Sequence, residues 1–271
     1  MTRPKTGFAY LDEPEGPIVF AHRGGARHAD LLGLENTMAA FSHAVGLGYR
    51  YLETDVHASR DGVLYAFHDA TLDRLTDRSG AIADLTAAEV DRARIAGHEA
   101  IPRLTDVLDA FPEARLNIDI KAPGAVRSLA DLVEGRGDHD RVLIGSFQEG
   151  SLRQFRRAVS RPVATATGPV GVAGALLRVP GALVRDTGVA FQVPVRHKGV
   201  RIVTTGFVRR AHAGGRHVHV WTVDQAAQMR RLLDMGVDGI FTDRTDVLRE
   251  VLMARGQWHS SGHESGSEDD V

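Results

Sequence analysis

Short apolar runs alternate with amphipathic stretches along most of the chain. The apolar runs predict eight β-strands, at 18–21, 51–56, 116–120, 142–144, 163–167, 189–193, 218–223 and 239–241. Helical spacing of apolar residues predicts helices at 35–47, 104–111, 125–132, 151–159, 225–235 and 246–253. Strands that alternate with helices form parallel sheets, and eight such strands close a barrel. The pattern therefore predicts an α/β protein with a (β/α)8 TIM-barrel fold, and a doubly wound open sheet is the alternative.

The segment 51–69 departs from this alternation. It contains two strand-like runs joined by Arg60, Asp61 and Gly62, and Asp-Gly is typical of a tight hairpin. The run 63–67 is therefore expected to fold back antiparallel over the barrel mouth and to place His68 and Asp69 there. Residues 70–101 show no strong period, which predicts a small insertion that covers the pocket.

The two ends of the chain differ in composition from the barrel between them. Residues 1–17 are polar and broken by prolines, which predicts an N-terminal extension. Residues 256–271 are rich in serine, glycine and acidic side chains, which predicts a disordered acidic tail. The barrel domain is thus expected to span 18–255, within the usual size of a single barrel.

Composition excludes several kinds of function. A formal net charge of -2 gives no positive field for nucleic acid, so no nucleic-acid partner is expected. The absence of cysteine excludes disulfides, thiolate metal sites and a cysteine nucleophile. No signal peptide or membrane-spanning run is visible, so a cytoplasmic location is expected.

Acidic side chains are concentrated where two predicted strands end. Side chains alternate along a strand, so Glu53 and Asp55 share one face, and Asp119 and Lys121 share another. Two carboxylates ~4 Å apart repel by ~4 kcal/mol at an effective dielectric of about 20. Three converging acids therefore need protons or a cation, and oxygen ligands favour Mg²⁺ or Ca²⁺ over zinc. A solvated or salt-bridged pair is the alternative for an isolated Glu-x-Asp.

Further polar groups follow the same pattern at the ends of strands. His22 and Arg23 end the first run, and Glu35 and Asn36 stand just ahead of a helix. His68 and Asp69 end the hairpin. Histidine titrates near neutral pH, so two histidines can accept and donate protons in one reaction.

The walls of the pocket are expected to be partly apolar. Trp221 and Phe147 follow strands and are candidate pocket walls, with core packing as the alternative for Trp221. The stretch 168–188 is apolar with few charges, which predicts a lid or lipid-facing surface on the alcohol side of the pocket and a weak contact with a membrane surface. Packing on the barrel rim is the alternative. Asp243 is expected to hold the final loop or cap the last helix, with a direct role at the site as the alternative.

The ordered set of motifs resembles the glycerophosphodiester phosphodiesterase family. The matching pieces are AHRGG (21–25), ENT (35–37), ETD (53–55), FHD (67–69), NIDIK (117–121), GSF (145–147) and VWTVD with GVDGIFTD (220–224 and 236–243). The resemblance implies a TIM barrel that uses a divalent cation to hydrolyse a small glycerophosphodiester to sn-glycerol 3-phosphate and an alcohol.

The resemblance also assigns roles to residues. His22 and His68 match the acid-base histidines, Glu53 and Asp55 the metal ligands, and Arg23 and Lys121 the groups at the phosphate. Asp119 stands where the family usually has Glu, so this shorter ligand is expected to act through water. The supporting residues are Glu35, Asn36 and Asp69. Leu34, in place of the usual proline, is local variation.

Three functions remain open at this point. The first is metal-dependent hydrolysis of glycerophosphodiesters. The second is a phospholipase D-like relative that cleaves lysophospholipids on the same barrel. The third is a catalytically silent barrel that binds a phosphodiester. The sequence also leaves open whether water attacks, or a neighbouring glycerol hydroxyl attacks to give a cyclic phosphate. It does not assign which histidine is acid and which is base, and it fixes neither the headgroup nor the oligomeric state.

Overall fold

Eight parallel strands form the frame of the molecule. The structure, a computed structural model, describes residues 3–13, 15–177, 179 and 187–258. The strands are β1 (Ile18–His22), β2 (Tyr51–Ala58), β3 (Arg115–Ile120), β4 (Val142–Gly145), β5 (Ala164–Thr165), β6 (Ala190–Pro194), β7 (His217–Trp221) and β8 (Gly239–Thr242). Their order is β5-β4-β3-β2-β1-β8-β7-β6. A parallel bridge between Ala166 and Ala190 joins the two ends of this order. The sheet is thus a nearly closed barrel, which confirms the predicted fold class.

Helices connect the strands. They are α1 (Ala9–Asp12), α2 (Met38–Gly46), α3 (Ala87–Val90), α4 (Leu104–Ala110), α5 (Ala125–Arg136), α6 (Glu149–Ala158), α7 (Pro169–Leu176), α8 (Thr205–Ala213), α9 (Ala226–Asp234) and α10 (Thr245–Ala254). Most of the longer helices bury an apolar face; α9, for example, buries Met229 and Leu232. None of the helices in the described ranges is both long and apolar enough to cross a bilayer.

Besides the four-residue helices α1 and α3, two longer helices are not predicted by the hydrophobic pattern. In α7 the sequence PVGVAGAL carries no polar face, so it shows no amphipathic period. In α8 the buried residues are Phe207, Val208 and Ala211, and three apolar residues are too few to show a helical period in the sequence. Both helices follow their strands as the barrel requires, and tertiary packing decides their structure.

The predicted hairpin is present, and the insertion after it differs from the prediction. Residues Leu64–Ala66 pair antiparallel with the end of β2, where Val56 faces Ala66. No residue of the insertion 70–101 lines the main cavity of the barrel, which lies at the carboxyl ends of the strands. Its apolar side chains pack instead against the hairpin, where Tyr65, Leu72 and Ile82 belong to one buried cluster. The insertion therefore buttresses the hairpin and does not cover the pocket.

The N-terminal segment packs against residues of the barrel. Tyr10 and Leu11 are fully buried, and the Tyr51 hydroxyl donates to the Tyr10 carbonyl oxygen at 2.7 Å. At the other end, the Trp258 ring lies 5.2 Å from the Tyr49 ring, so packing continues beyond residue 255. Of the predicted tail, residues 259–271 lie outside the described residues.

Candidate active site

A cavity of about 600 Å³ lies at the carboxyl ends of the barrel strands. Its polar side is lined by His22, Arg23, Glu53, Asp55, His68, Asp119 and Lys121. Its apolar side is lined by Phe147, Pro169, Val172, Ala173, Leu176, Val193, Ile202 and Trp221, among others. The structure therefore brings the predicted catalytic, phosphate-binding, metal-binding and wall residues into one cavity.

Strand register explains why these side chains meet. In the pairing of β1 with β2, His22 lies opposite Glu53. In the pairing of β2 with β3, Asp55 lies opposite Asp119. Adjacent residues of parallel strands point the same way when they are in register. Three strands therefore project one continuous row of polar groups into the cavity.

His22 has a carboxylate partner in Asp243, for which the sequence makes a direct site role only the alternative to holding the final loop. Its Nδ1–H donates to Asp243 Oδ1 at 2.7 Å, and its Nε2 lies 3.9 Å from Glu53 Oε2. Burial opposes a charged ring, but Glu53 and Asp243 outweigh it and raise the pKa of His22. Asp243 follows Thr242, which pairs with Ala21 in the register of β8 and β1. Barrel closure therefore places Asp243 beside His22.

His68 has an equivalent partner in the predicted supporting residue Asp69. The His68 Nδ1–H donates to Asp69 Oδ1 at 2.6 Å. Arg74, a residue of the insertion, donates to Asp69 and also to Glu35, with 2.6 Å between its Nη2 and Glu35 Oε1. Its hydrogen bonds are the main reason that the pKa of Asp69 falls to about 2. Arg74 thus bridges two carboxylates, that of Asp69, the partner of His68, and that of Glu35.

Replacing Arg74 by Gln is expected to lower kcat about tenfold with little change in KM. Without the guanidinium, Asp69 and Glu35 lose their shared donor, and the His68 ring is less well oriented. Steady-state kinetics on a soluble phosphodiester, the substrate class that the motif resemblance implies, check this. Arg78→Gln is the matched control, since Arg78 lies in the same insertion and its Nε donates to the Arg92 carbonyl oxygen. An equal loss in both variants would contradict a positioning role for Arg74.

Two basic side chains interleave with the acids. Arg23 contacts Asp55 Oδ2 through Nε at 3.0 Å and donates to Glu35 through Nη1 at 3.1 Å. The Lys121 ammonium lies 2.8 Å from Asp55 Oδ1 and 2.7 Å from Asp119 Oδ2. Although burial opposes it, Lys121 and Arg23 lower the pKa of Asp55, whereas burial raises the pKa of Asp119. Asp55 is therefore a carboxylate held between two cations.

Asn36 supports Asp55 from behind the cavity. It is buried, its Nδ2 donates to Asp55 Oδ2 at 3.1 Å, and its Oδ1 accepts from the Thr54 hydroxyl at 2.8 Å. Its φ of 59° and the Arg23 φ of 49° lie in the left-handed region, which is strained for residues other than glycine. Such strained backbone is common at functional sites. This backbone cannot be helical. The helix predicted over 35–47 therefore begins at Met38, with Thr37 as its cap.

Glycine is required at the turn that carries Arg23. Gly24 and Gly25 have φ of 84° and 89°. A Cβ on Gly24 would lie 2.6 Å from the Ala40 Cβ, and one on Gly25 would lie 2.6 Å from the Thr245 side chain. The pair therefore lets the turn pass close to α2 and α10.

The charge pattern fits a hard cation at Glu53. Its carboxylate is buried, and burial together with the neighbouring Asp55 raises the pKa of Glu53 to about 7. A positive charge at this point would relieve both effects. Within the described ranges, no three acidic or histidine side chains are grouped as metal ligands. The ammonium of Lys121 contacts both Asp55 and Asp119 instead.

The apolar side of the cavity has an aromatic wall. The rings of Phe147 and Trp221 meet edge to face with centroids 5.8 Å apart, and Lys121 Nζ lies 5.9 Å from the Phe147 centroid. Helix α7 continues the wall with Val172 and Leu176. Of the stretch 168–188, residues 178 and 180–186 lie outside the described residues.

The cavity also has polar groups that the sequence did not predict. Gln192, on β6, donates from Nε2 to Asn117 Oδ1 at 2.6 Å, and both residues line the cavity. His57, by contrast, does not line it; its ring Nε2 lies 3.1 Å from the His68 carbonyl oxygen. His57 therefore supports the backbone that carries His68.

A nearly closed barrel with histidines, carboxylates and basic groups at the carboxyl ends of its strands defines a (β/α)8-barrel enzyme. The comparison with known families then gives the particular group. The chain belongs to the glycerophosphoryl diester phosphodiesterase family, whose model matches residues 22–247. This match confirms the family resemblance inferred from the motifs.

Individual relatives cover nearly the whole chain. The "Probable glycerophosphodiester phosphodiesterase 2" of Mycobacterium tuberculosis is 42% identical over 250 residues, which is 90% of this chain and 93% of that protein. A lysophospholipase D of Rattus norvegicus is 28% identical and covers 86% of this chain and 85% of its own length. The crystal structure of a glycerophosphodiester phosphodiesterase from Agrobacterium tumefaciens superimposes with a TM-score of 0.68 at 27% identity, covering 86% of this chain and 99% of that one.

Proposed function

We propose that this protein hydrolyses glycerophosphodiesters to sn-glycerol 3-phosphate and an alcohol. The observation that carries the proposal is the pair of histidines, each hydrogen-bonded to an aspartate, that line one cavity with Arg23 and Lys121. Family membership and the 42% identical mycobacterial relative support the choice of substrate class.

The two basic residues suit the charge of the substrate. A phosphodiester carries one negative charge, and more charge develops on its oxygens during attack. Arg23 and Lys121 are fixed by Asp55, so they oppose that charge without having to reorganise. Arginine suits a bidentate contact with two oxygens, whereas lysine acts as a point charge.

The histidines suit proton transfer at the attacking and leaving oxygens. Each aspartate holds Nδ1, which leaves Nε2 as the atom that can accept or donate a proton. One ring accepts the proton of the attacking oxygen, and the other donates a proton to the leaving alcohol. Attack by water or by the neighbouring glycerol hydroxyl satisfies this arrangement equally well.

A divalent cation completes the proposal. Glu53 and Asp55 would hold Mg²⁺ or Ca²⁺, which when bound would stabilise negative charge on a phosphoryl oxygen. Asp119 stays on Lys121 and acts through it or through water. Glu35 and Asn36 hold Arg23 and Asp55 in place.

Cation affinity is expected to depend on pH through Glu53. The pKa of this group is raised to about 7, so below that pH a cation must displace a proton. The dissociation constant for Mg²⁺ or Ca²⁺ is expected to fall by about tenfold per pH unit up to about pH 7 and to level off above it. Isothermal titration calorimetry measures this, and Glu53→Gln should abolish the dependence. Affinity that is flat across this range would contradict the role of Glu53.

The activity itself is tested by release of glycerol 3-phosphate from glycerophosphocholine, followed by phosphorus NMR. Turnover is expected, with loss on chelation by EDTA and recovery on addition of Mg²⁺ or Ca²⁺. A cyclic phosphate signal would identify attack by the neighbouring hydroxyl. Activity that is indifferent to EDTA would contradict the requirement for a cation. No activity with any metal would favour a catalytically silent barrel that only binds a phosphodiester.

The apolar side of the cavity favours lysophospholipids as a second substrate. Val172, Leu176 and Trp221 offer an apolar surface on which the lipid portion could lie, and a 28% identical relative is a lysophospholipase D. Leu176→Asp is expected to lower kcat/KM for a lysophospholipid about tenfold or more, since it places a charge on that surface. The kcat/KM for glycerophosphocholine should change little. An equal response of both substrates would contradict this second substrate.

A further inference from the structure

Exposed apolar side chains lie beside the mouth of the cavity. Among the large apolar side chains, Phe147, Val170, Leu177 and Val200 are 65%, 56%, 77% and 62% exposed. Phe147 lines the cavity, and the segments that carry the other three also contribute cavity residues. A lone exposed apolar residue is ordinary, but a group at one mouth marks an interaction surface.

A basic hairpin adjoins this apolar group. Arg196–His197 pairs antiparallel with Val200–Arg201, and we call residues 196–201 the basic hairpin. Arg196 lies directly opposite Arg201 in this pairing, and like charges in that position repel. Lys198 occupies the turn with a φ of 46°. Among the described residues, no carboxylate forms an ion pair with these three side chains.

The two features together point to one kind of partner. Repulsion within the basic hairpin is relieved by a negatively charged surface, and the exposed apolar groups gain from entering an apolar phase. A membrane with anionic lipids offers both at once, whereas a soluble anion offers only the first.

We propose that the mouth of the cavity docks on membrane surfaces that carry anionic lipids. The contact combines the basic hairpin with Leu177 and Val200, and so extends the weak membrane contact predicted for 168–188. Docking in this pose turns the cavity toward the bilayer, where lipid-derived diesters are found. The binding does not depend on the proposed reaction, so the two can fail separately.

Vesicle flotation with the full chain tests the proposal. Vesicles of phosphatidylcholine alone are compared with vesicles that also contain phosphatidylglycerol. Binding is expected only with phosphatidylglycerol, and it should weaken as salt is raised. Arg201→Gln and Lys198→Gln should each weaken binding about fivefold, and Leu177→Asp about tenfold or more.

Matched controls separate a local surface from general charge or stickiness. Arg127→Gln removes an exposed arginine on α5, and Met253→Asp charges an exposed apolar residue on α10. Neither borders the cavity, so both should bind vesicles as the unaltered protein does. All these variants should hydrolyse soluble glycerophosphocholine at an unchanged rate.

Three results would overturn the proposal. One is no binding to phosphatidylglycerol vesicles at low salt. Another is an equal loss of binding in the control variants. The third is a change in sedimentation coefficient for Leu177→Asp with vesicle binding unaltered, which would make this face a contact between copies of the chain.

Discussion

Replacing His68 or His22 by Asn is expected to lower kcat by about 10²–10⁴-fold, the usual value of one acid-base group. Asparagine can keep a hydrogen bond to the partner aspartate but cannot exchange a proton near neutral pH. The two losses should not add fully, because in the proposed mechanism both rings serve one reaction. Turnover of glycerophosphocholine, measured with saturating cation, checks this.

The control for the histidine variants is His98→Asn. His98 is exposed in the insertion, and its ring does not line the cavity, so activity should not change. Circular dichroism should show unchanged helix and strand content in all three variants. Loss of activity in only one of the two active-site variants would contradict the assignment of paired proton transfers.

The second large effect is expected at Asp243. Its carboxylate accepts the Nδ1–H of His22 at 2.7 Å, so Asp243→Asn presents an amide group and favours the wrong ring tautomer. In a serine protease triad, where an aspartate holds the catalytic histidine, this kind of change costs about 10⁴-fold in kcat. A fall of about 10²–10⁴-fold is expected here, with KM little altered.

Asp131→Asn is the control for Asp243, since Asp131 is an exposed partner of Arg127 on α5. Its kinetics should match those of the unaltered protein. The profile of kcat against pH adds a second reading. The carboxylates of Glu53 and Asp243 raise the pKa of His22. Losing the Asp243 carboxylate should therefore move the part of the pH profile that His22 controls to lower pH. An unchanged kcat in Asp243→Asn would contradict a role for Asp243 in orienting His22 and would leave it only the role of holding the final loop.

Much of the fold could be predicted because its signals are local. An apolar run of four or five residues is enough to define a buried strand, and all eight predicted strands are present within a few residues of their expected bounds. Side-chain alternation then fixed which residues of β2 and β3 share a face. Asp55 therefore lies opposite Asp119 once the strands pair in register, with Glu53 two residues earlier on the same face of β2.

The contacts that the sequence could not establish join residues distant in sequence. Asp243 reaches His22 across 221 positions, and only the closure of β8 onto β1 brings them together. Arg74 reaches Glu35 from an insertion without periodicity, so its position follows from the packing of that insertion. Helix α7 has no polar face, which removed the signal that identifies a helix.

The most direct test of the central claim is a crystal structure of the protein with Ca²⁺ and glycerol 3-phosphate. The phosphate is expected to contact Arg23 and Lys121 between the two imidazole rings, with the cation on Glu53 and Asp55. A phosphate bound elsewhere, or a cation that leaves both carboxylates uncontacted, would contradict the claim that one row of polar groups serves a single phosphorus atom.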